Sequence, residues 1–451
     1  DFFNNKSQKL YCMEKFIIIN RKIDSFNKKI NVEGDKSLSI RWVIISSLSK
    51  KKSIAYNLLK SEDVLSAIKC IKTLGSKVKI FKNRCEITGH GFDFQNLKNK
   101  KKIILNAGNS GTLGRIILGL LINSKRKIKL IGDKSLSKRD FSRVTLPLKK
   151  FGAKFDKYKR LPIEMKGLEN PSKINYLENK GSAQCKTTIM LAALKSKGTT
   201  KIKAKKSRDH TELIFKHLNI PIKIKKGRNF DHIRLNGINK IKPLNYRIPG
   251  DISSCAFFIV LTLLTKNSEL LIKNININPS RTGVIKILKM MGAKIKFINQ
   301  RTYKGEKISD IFVKSSNNLK GINCPTNYNS SAIDEFLVIF LVAAKSRGIS
   351  YFKNLSELNQ KESPRLKWAS KILNLLEIKN ITTKSSIKIY GNPNHNFNKK
   401  IIIKNFLKDH RVFMMSVVAA LTFGGEWKIH DCNSIKTSFP KFLETLKKIK
   451  A

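Results

Sequence analysis

Several short strings combine charged and small residues in patterns that suit multiply anionic ligands. In Gly34-Asp35-Lys36-Ser37-Leu38-Ser39-Ile40-Arg41, which precedes the apolar run Trp42-Val43-Ile44-Ile45, Lys36, Ser37 and Arg41 stand at the opening of a helix. Free N–H groups and the helix dipole there favour a phosphate or carboxylate, although an ordinary Ser-capped helix start reads the same way. Asn106-Ala107-Gly108-Asn109-Ser110-Gly111-Thr112-Leu113-Gly114-Arg115 is a loop of small residues opening into Ile116-Ile117-Leu118. It lets main-chain N–H groups approach an anion and lacks the Gly-Lys-Ser/Thr ending of a nucleotide loop. Gly132-Asp133-Lys134-Ser135-Leu136-Ser137 repeats the first string and leads to Arg139, whose guanidinium suits a bidentate carboxylate.

Further along, Gly181-Ser182-Ala183-Gln184-Cys185-Lys186 offers hydroxyl, amide and ammonium donors at a helix start. Ser207-Arg208-Asp209-His210-Thr211-Glu212 resembles a triad fragment, but neighbours on one helix point in different directions, so it reads as helix capping with basic ligands nearby. Pro249-Gly250-Asp251-Ile252-Ser253-Ser254 is another Gly-Asp helix start. Asp334-Glu335 precedes an apolar helix, either as an N-terminal charge pair or as a base at a cleft. Lys361-Glu362-Ser363-Pro364-Arg365 and Asp409-His410-Arg411-Val412 each set an acid close to an Arg. That combination holds an anion beside a proton-transfer group.

The elements that must position these residues follow one grammar. Apolar residues at helical spacing run into a Gly and then a short alternating strand: Ala67 to Gly75 into Val78-Lys79-Ile80, Leu146 to Gly152 into Lys154-Phe155, and Ile285 to Gly292 into Ile295-Lys296-Phe297. Gly supplies the left-handed helix end. Weaker copies at 213–224, 368–378 and 442–449 bring the number to six, three modules for each of two domains. The pattern itself establishes only an α/β protein.

Composition narrows the function classes. A chain of 451 residues, 41% hydrophobic and 27% charged, is long enough for two cores. Its longest apolar runs, near Phe257–Thr265 and Phe336–Ala344, are about half of the roughly 20 residues a membrane span needs. No secretory signal is visible at Asp1-Phe2-Phe3-Asn4-Asn5. Seven scattered cysteines without a C-x-x-C pair argue against a disulfide framework or a zinc site, and a reducing, cytoplasmic location is expected. The net charge of +60 raises nucleic-acid binding as an alternative. Yet the lysines are spread along the whole chain without a basic block, as on a solvated surface that also attracts anionic metabolites.

In their order and separation, from about Gly34 to Pro440, these strings resemble the enolpyruvyl transferase family, specifically its members that use shikimate 3-phosphate. The sister family acting on a UDP-sugar uses a reactive loop cysteine, and no Cys here lies in such a loop. The resemblance implies a two-domain inside-out α/β barrel with three repeated β-α-β-α-β-β units per domain. Residues 1–33 plus 250–451 would form a discontinuous domain, residues 34–249 an inserted one, and the site would lie in the cleft between them. It implies transfer of the enolpyruvyl group of phosphoenolpyruvate to the 5-hydroxyl of shikimate 3-phosphate by a monomer without metal or organic cofactor.

By the same resemblance, Lys36, Ser37, Arg41, Ser182, Ala183, Gln184, Arg208, Asp334 and Lys361 would hold shikimate 3-phosphate. Lys36, Asn109, Gly111, Thr112, Arg139, Gln184, Arg365 and Arg411 would hold phosphoenolpyruvate. Asp334 would accept the hydroxyl proton, and Glu362 or Lys36 would protonate the methylene carbon. Pro364 and Asp140 depart from the family pattern, and the register at Lys436-Thr437 is ambiguous. The alternatives are an inactive anion- or nucleic-acid-binding relative and a transferase with another acceptor.

Overall fold

The computed structural model describes residues 15–92 and 102–450; residues 1–14 of the first domain segment lie outside them. The described strands form six small sheets built by one rule. Strand Lys102–Asn106 runs parallel to Lys127–Ile131, which is antiparallel to Ile163–Lys166, itself antiparallel to Lys154–Lys157. Helices Gly111–Leu120 and Ser142–Lys150 fill the crossovers, completing a β-α-β-α-β-β unit. Asn175–Glu178, Thr199–Lys205, Phe230–Asn236 and Ile222–Lys225 repeat it around helices Ala183–Ala193 and His210–His217.

The helix-to-strand signals carry the expected backbone. Gly75, Gly152 and Gly292 adopt φ of 103°, 106° and 93° just past helices Glu62–Thr73, Ser142–Lys150 and Gly283–Met290. In two of the weaker copies the left-handed position is taken by Asn219 (φ 57°) and Glu377 (φ 59°). The last copy is helix Phe442–Lys450, and its sheet is completed from the other end of the chain, where Phe16–Ile19 pairs antiparallel with Glu426–His430.

Among the described residues, six helices are buried almost throughout: Lys36–Ser46, Gly111–Leu120, Ala183–Ala193, Ile252–Leu264, Phe336–Ala344 and His410–Phe423. Helices lie inside and sheets outside: these helices are buried on nearly every side, with polar members such as Arg41 and Lys186 held by buried partners, whereas the strands alternate. In Thr199–Lys205, for example, Thr200, Ile202 and Ala204 are buried and Lys201, Lys203 and Lys205 exposed. Much of the positive charge is therefore an outer sheet face. No helix among the described residues is long and apolar enough to cross a membrane. Cys70, Cys85, Cys185, Cys255 and Cys324 are free, but Cys432 is disulfide-bonded, so the expectation of unbridged cysteines fails there.

Two hydrophobic cores form, one from residues between Leu38 and Ile248, the other from Ile17 to Val32 together with Ile252 to Ile449. The chain passes between them at Gly34 and Gly250, which face each other in an antiparallel bridge. Strand Asn27–Asn31 pairs with Glu269–Asn276 on one side, and Tyr246–Arg247 with Lys52–Tyr56 on the other. The crossing leaves no room for a side chain: a Cβ on Gly34 would lie 2.1 Å from the carbonyl oxygen of Asn57. Gly34→Ala is expected to cost about 1–3 kcal/mol, as overpacking of a filled site does, read as a lower denaturant midpoint with an unchanged slope.

A second contact between the cores is the hairpin of Lys294–Tyr303 and Glu306–Lys314. At its tip Glu306 Oε1 lies 2.6 Å from His210 Nδ1, both side chains fully buried, and the Tyr303 hydroxyl accepts from the Arg247 N–H at 2.9 Å.

Candidate active site

The starts of the buried helices, and of the second helices Ser142–Lys150, His210–His217 and Arg365–Leu375, carry the strings singled out above. Asp334 lies in the turn before Phe336–Ala344, and its carboxylate gathers cations from both cores. Arg208 Nη2 is 2.6 Å from Oδ2, while Lys361 Nζ and Arg365 Nη1 are each 3.5 Å from Oδ1. Arg411 Nη1 donates to the Asp334 carbonyl at 2.7 Å. Burial alone would raise this carboxyl, but Lys361, Arg208, Arg411 and Arg365 outweigh it and hold it well below the usual carboxylate range. Asp334 and Glu335 both stand at the start of Phe336–Ala344, with Glu335 as the N-cap residue, but neither side chain bonds a helix N–H: Asp334 is turned to Arg208 and Glu335 to Ser253.

Arg365 begins helix Arg365–Leu375 after Pro364 as N-cap. Its Nε donates to Asp409 Oδ2 at 2.9 Å and its Nη2 to Glu362 Oε2 at 2.5 Å. Asp409 also accepts from Ser363 Oγ at 2.9 Å and caps His410–Phe423 through the Arg411 N–H at 3.0 Å. The acid of one string thus grips the Arg of the other. Glu362 Oε1 lies 3.3 Å from Arg139 Nη2. Against the effect of burial, Arg365, Arg139 and Lys36 depress its carboxyl well below the ordinary value. His410 is held neutral by burial, with Lys36 and Arg411 adding to that effect; Thr437 Oγ1 sits 3.3 Å from its Nδ1, while Lys436 is exposed.

On the facing side, helix Lys36–Ser46 is capped by Asp35, which accepts from the Leu38 N–H at 2.8 Å, not by a serine. Lys36 Nζ pairs with Asp63 at 3.1 Å. Arg41 is buried and reaches Thr211 Oγ1 at 3.0 Å, Thr187 Oγ1 at 3.2 Å and the Ser37 carbonyl at 3.1 Å; burial pushes its guanidinium down to about 10. Ser110 and Ser182 cap Gly111–Leu120 and Ala183–Ala193. Gln184 links those two helix starts, donating to Thr112 Oγ1 at 3.0 Å and accepting from Arg115 Nη1 at 2.6 Å. Asn109 donates to Asp133 at 2.6 Å. A Cβ on Gly111 would lie 3.0 Å from Arg139 Nη1.

The whole arrangement matches one known family. A model of EPSP synthase (3-phosphoshikimate 1-carboxyvinyltransferase) matches residues 20–446. The chain is 36% identical to the 3-phosphoshikimate 1-carboxyvinyltransferase of Petrotoga mobilis, over 95% of this chain and 98% of the relative. It is 37% identical to that of Ruthia magnifica, over 97% and 98%. This chain belongs to the EPSP synthase family. The EPSP synthase of Acinetobacter baumannii superposes with a TM-score of 0.84 at 32% identity, covering 96% of this chain and 98% of that one. The enolpyruvyl transferase NikO of Streptomyces tendae shares the fold, at a TM-score of 0.74 and 12% identity over 96% and 97%.

Within this EPSP synthase fold, some readings of individual residues change. Asp209 does not cap its helix; it pairs with Lys226 at 3.0 Å and accepts from Asn278 at 2.9 Å. Lys186 is no ligand donor, because it is buried against Glu212 at 2.6 Å. The Gly-Asp-Lys-Ser repeat preserves a cap, Asp133 accepting from the Leu136 N–H at 2.7 Å, but Lys134 is exposed. Asp140 turns its carboxylate onto Ser142 at 2.7 and 2.8 Å, so that departure leaves Arg139 free to face Glu362. Arg115 closes the Asn106–Arg115 string without a role of its own there, and Asp63 and Arg281 lie outside every string. For Arg281 a signal existed: Arg139, Arg208 and Arg365 each stand at or just before the second helix of their module, and Arg281 does so before Gly283–Met290.

Proposed function

We propose that the chain transfers the enolpyruvyl group of phosphoenolpyruvate to the 5-hydroxyl of shikimate 3-phosphate and releases phosphate, as a monomeric cytoplasmic enzyme. The observation that carries this reading is the Asp334 carboxylate ringed by Arg208 from one core and Lys361, Arg365 and Arg411 from the other. Two substrates bearing phosphate and carboxylate groups repel each other, and only closely spaced cations offset that repulsion. The cores act as domains 1–33 plus 250–451 and 34–249, closing on the substrates and excluding water.

In this reading Lys36, Ser37, Arg41, Ser182, Ala183, Gln184, Arg208 and Lys361 hold shikimate 3-phosphate. Lys36, Asn109, Gly111, Thr112, Gln184, Arg139, Arg365 and Arg411 hold phosphoenolpyruvate. As the substrate anions draw these cations to themselves, Asp334 loses part of the field that depresses its carboxyl and becomes a better base. It takes the proton of the 5-hydroxyl while that oxygen bonds to C2 of phosphoenolpyruvate. Glu362 or Lys36 protonates the methylene carbon. The tetrahedral adduct then returns a methyl proton to the enzyme and expels phosphate. Phosphate release measured with each substrate alone and with both tests the reading. Release requiring both is expected; none from the folded protein with both present would overturn it.

A further inference from the structure

The two crossings between the cores meet on one buried side chain. Arg281 Nη1 donates to Asp35 Oδ2 at 2.9 Å, and its Nη2 donates to Asp251 Oδ1 at 3.1 Å and to Ser253 Oγ at 2.7 Å. Asp35 and Asp251 are the residues that follow Gly34 and Gly250. Each caps the buried helix that begins there, through the N–H of Leu38 and of Ser253. Arg281 therefore touches both helix starts, one from each core, and is itself 2% exposed.

From this point short links run to both sides of the site. The second oxygen of Asp251 accepts the backbone N–H of Lys36 at 3.1 Å, across the crossing. The Ser253 hydroxyl, which accepts from Arg281, donates to Glu335, the neighbour of Asp334 in the chain. Glu335 Oε1 is also 3.9 Å from Arg411 Nη1. Without a cation at this position Asp35 and Asp251 would face each other unscreened in a buried site, which favours pushing the helix starts apart. The guanidinium fork, with separate N–H groups for each carboxylate, fixes their spacing in a way a single ammonium does not.

We propose that Arg281 is a positioning residue that locks the two helix starts together and thereby sets where Lys36 and Asp334 meet the substrates. This rests on the reading of Lys36 and Asp334 as active-site groups. The competing account is that Arg281 only neutralises two buried acids, and it predicts different behaviour once the charges are removed together.

The test begins with kcat and KM of the native enzyme for phosphate release from phosphoenolpyruvate and shikimate 3-phosphate, alongside calorimetric titration of shikimate 3-phosphate. Native protein inactive with both substrates sinks the functional reading itself, and the proposal with it. With native turnover in hand, Arg281→Met is expected to lower kcat by about 10²-fold, the penalty of displacing reacting groups by about an ångström. The Kd for shikimate 3-phosphate should change by less than about threefold, because the anion-binding groups remain.

Arg281→Met can fail to fold, so the triple variant Arg281→Met, Asp35→Asn, Asp251→Asn removes the three charges while the amides keep both caps. It should fold and still show the low kcat, and Arg281→Lys should recover part of the loss. A triple variant with kcat within about threefold of native would overturn the proposal in favour of simple charge neutralisation. A triple variant that does not fold would overturn it as well, making Arg281 a folding residue.

Discussion

Asp334→Ala is expected to lower kcat by about 10³-fold, within the range typical for loss of a positioned general base, while binding of shikimate 3-phosphate persists. The asymmetry follows from the charges around it. Arg208, Lys361 and Arg365 surround this carboxylate in the free protein, so its removal leaves three cations with less to hold and an anionic ligand to welcome. A Kd for shikimate 3-phosphate within about tenfold of native, alongside collapsed turnover, would mark Asp334 as a group needed for the proton transfer. Turnover near the native value would remove it from that role.

Glu362→Gln should lower kcat by about 10²-fold or more with the fold intact, because the amide can still accept from Arg365 and only the charge and the capacity to take up and deliver a proton are lost. A second readout comes from pH. The Glu362 carboxyl is depressed in the folded protein, above all by Arg365 and Arg139 against the opposing effect of burial. The stability it contributes is therefore present above the unfolded value of about 4 and lost as pH falls through the lower folded value. The native protein should exceed the variant in stability at neutral pH, and the gap should close on acidification. Equilibrium unfolding of both proteins across that range checks the sign; a gap that widens toward low pH would contradict the ion pairs described for this side chain.

The six-module plan was legible because three copies announce themselves with glycine at the helix end, and helical spacing is a local property. The other copies were faint for an equally local reason: Asn219 and Glu377 occupy the left-handed position, and the final unit borrows Phe16–Ile19 from the far end of the chain. Site strings such as Lys361-Glu362-Ser363-Pro364-Arg365 could be recognised, but their pairings could not. Asp409 and Arg365 are separated by 44 positions, and only the fold decides that they face each other. The cap expected at the start of His210–His217 does not form because the partners of Asp209, Lys226 and Asn278, lie on other segments. Arg281 has no local signature, because a lone Arg before a helix is ordinary until the acids of both crossings converge on it.

The route of the chain through Gly34 and Gly250 also orders events during synthesis. Once residue 247 has left the ribosome, every strand and helix around the core of residues 38–248 has its partners available, so that part can fold while the remainder is still being made. Residues 16–31 must wait far longer: Asn27–Asn31 pairs with Glu269–Asn276 and Phe16–Ile19 with Glu426–His430. Ile30 thus waits for Glu269–Asn276, and Ile17 and Ile19, buried in the finished fold, wait until Glu426–His430 has been made. For this protein, a nascent-chain holdase has most to protect at residues 16–19, the strand separated from its partner by the longest stretch of chain.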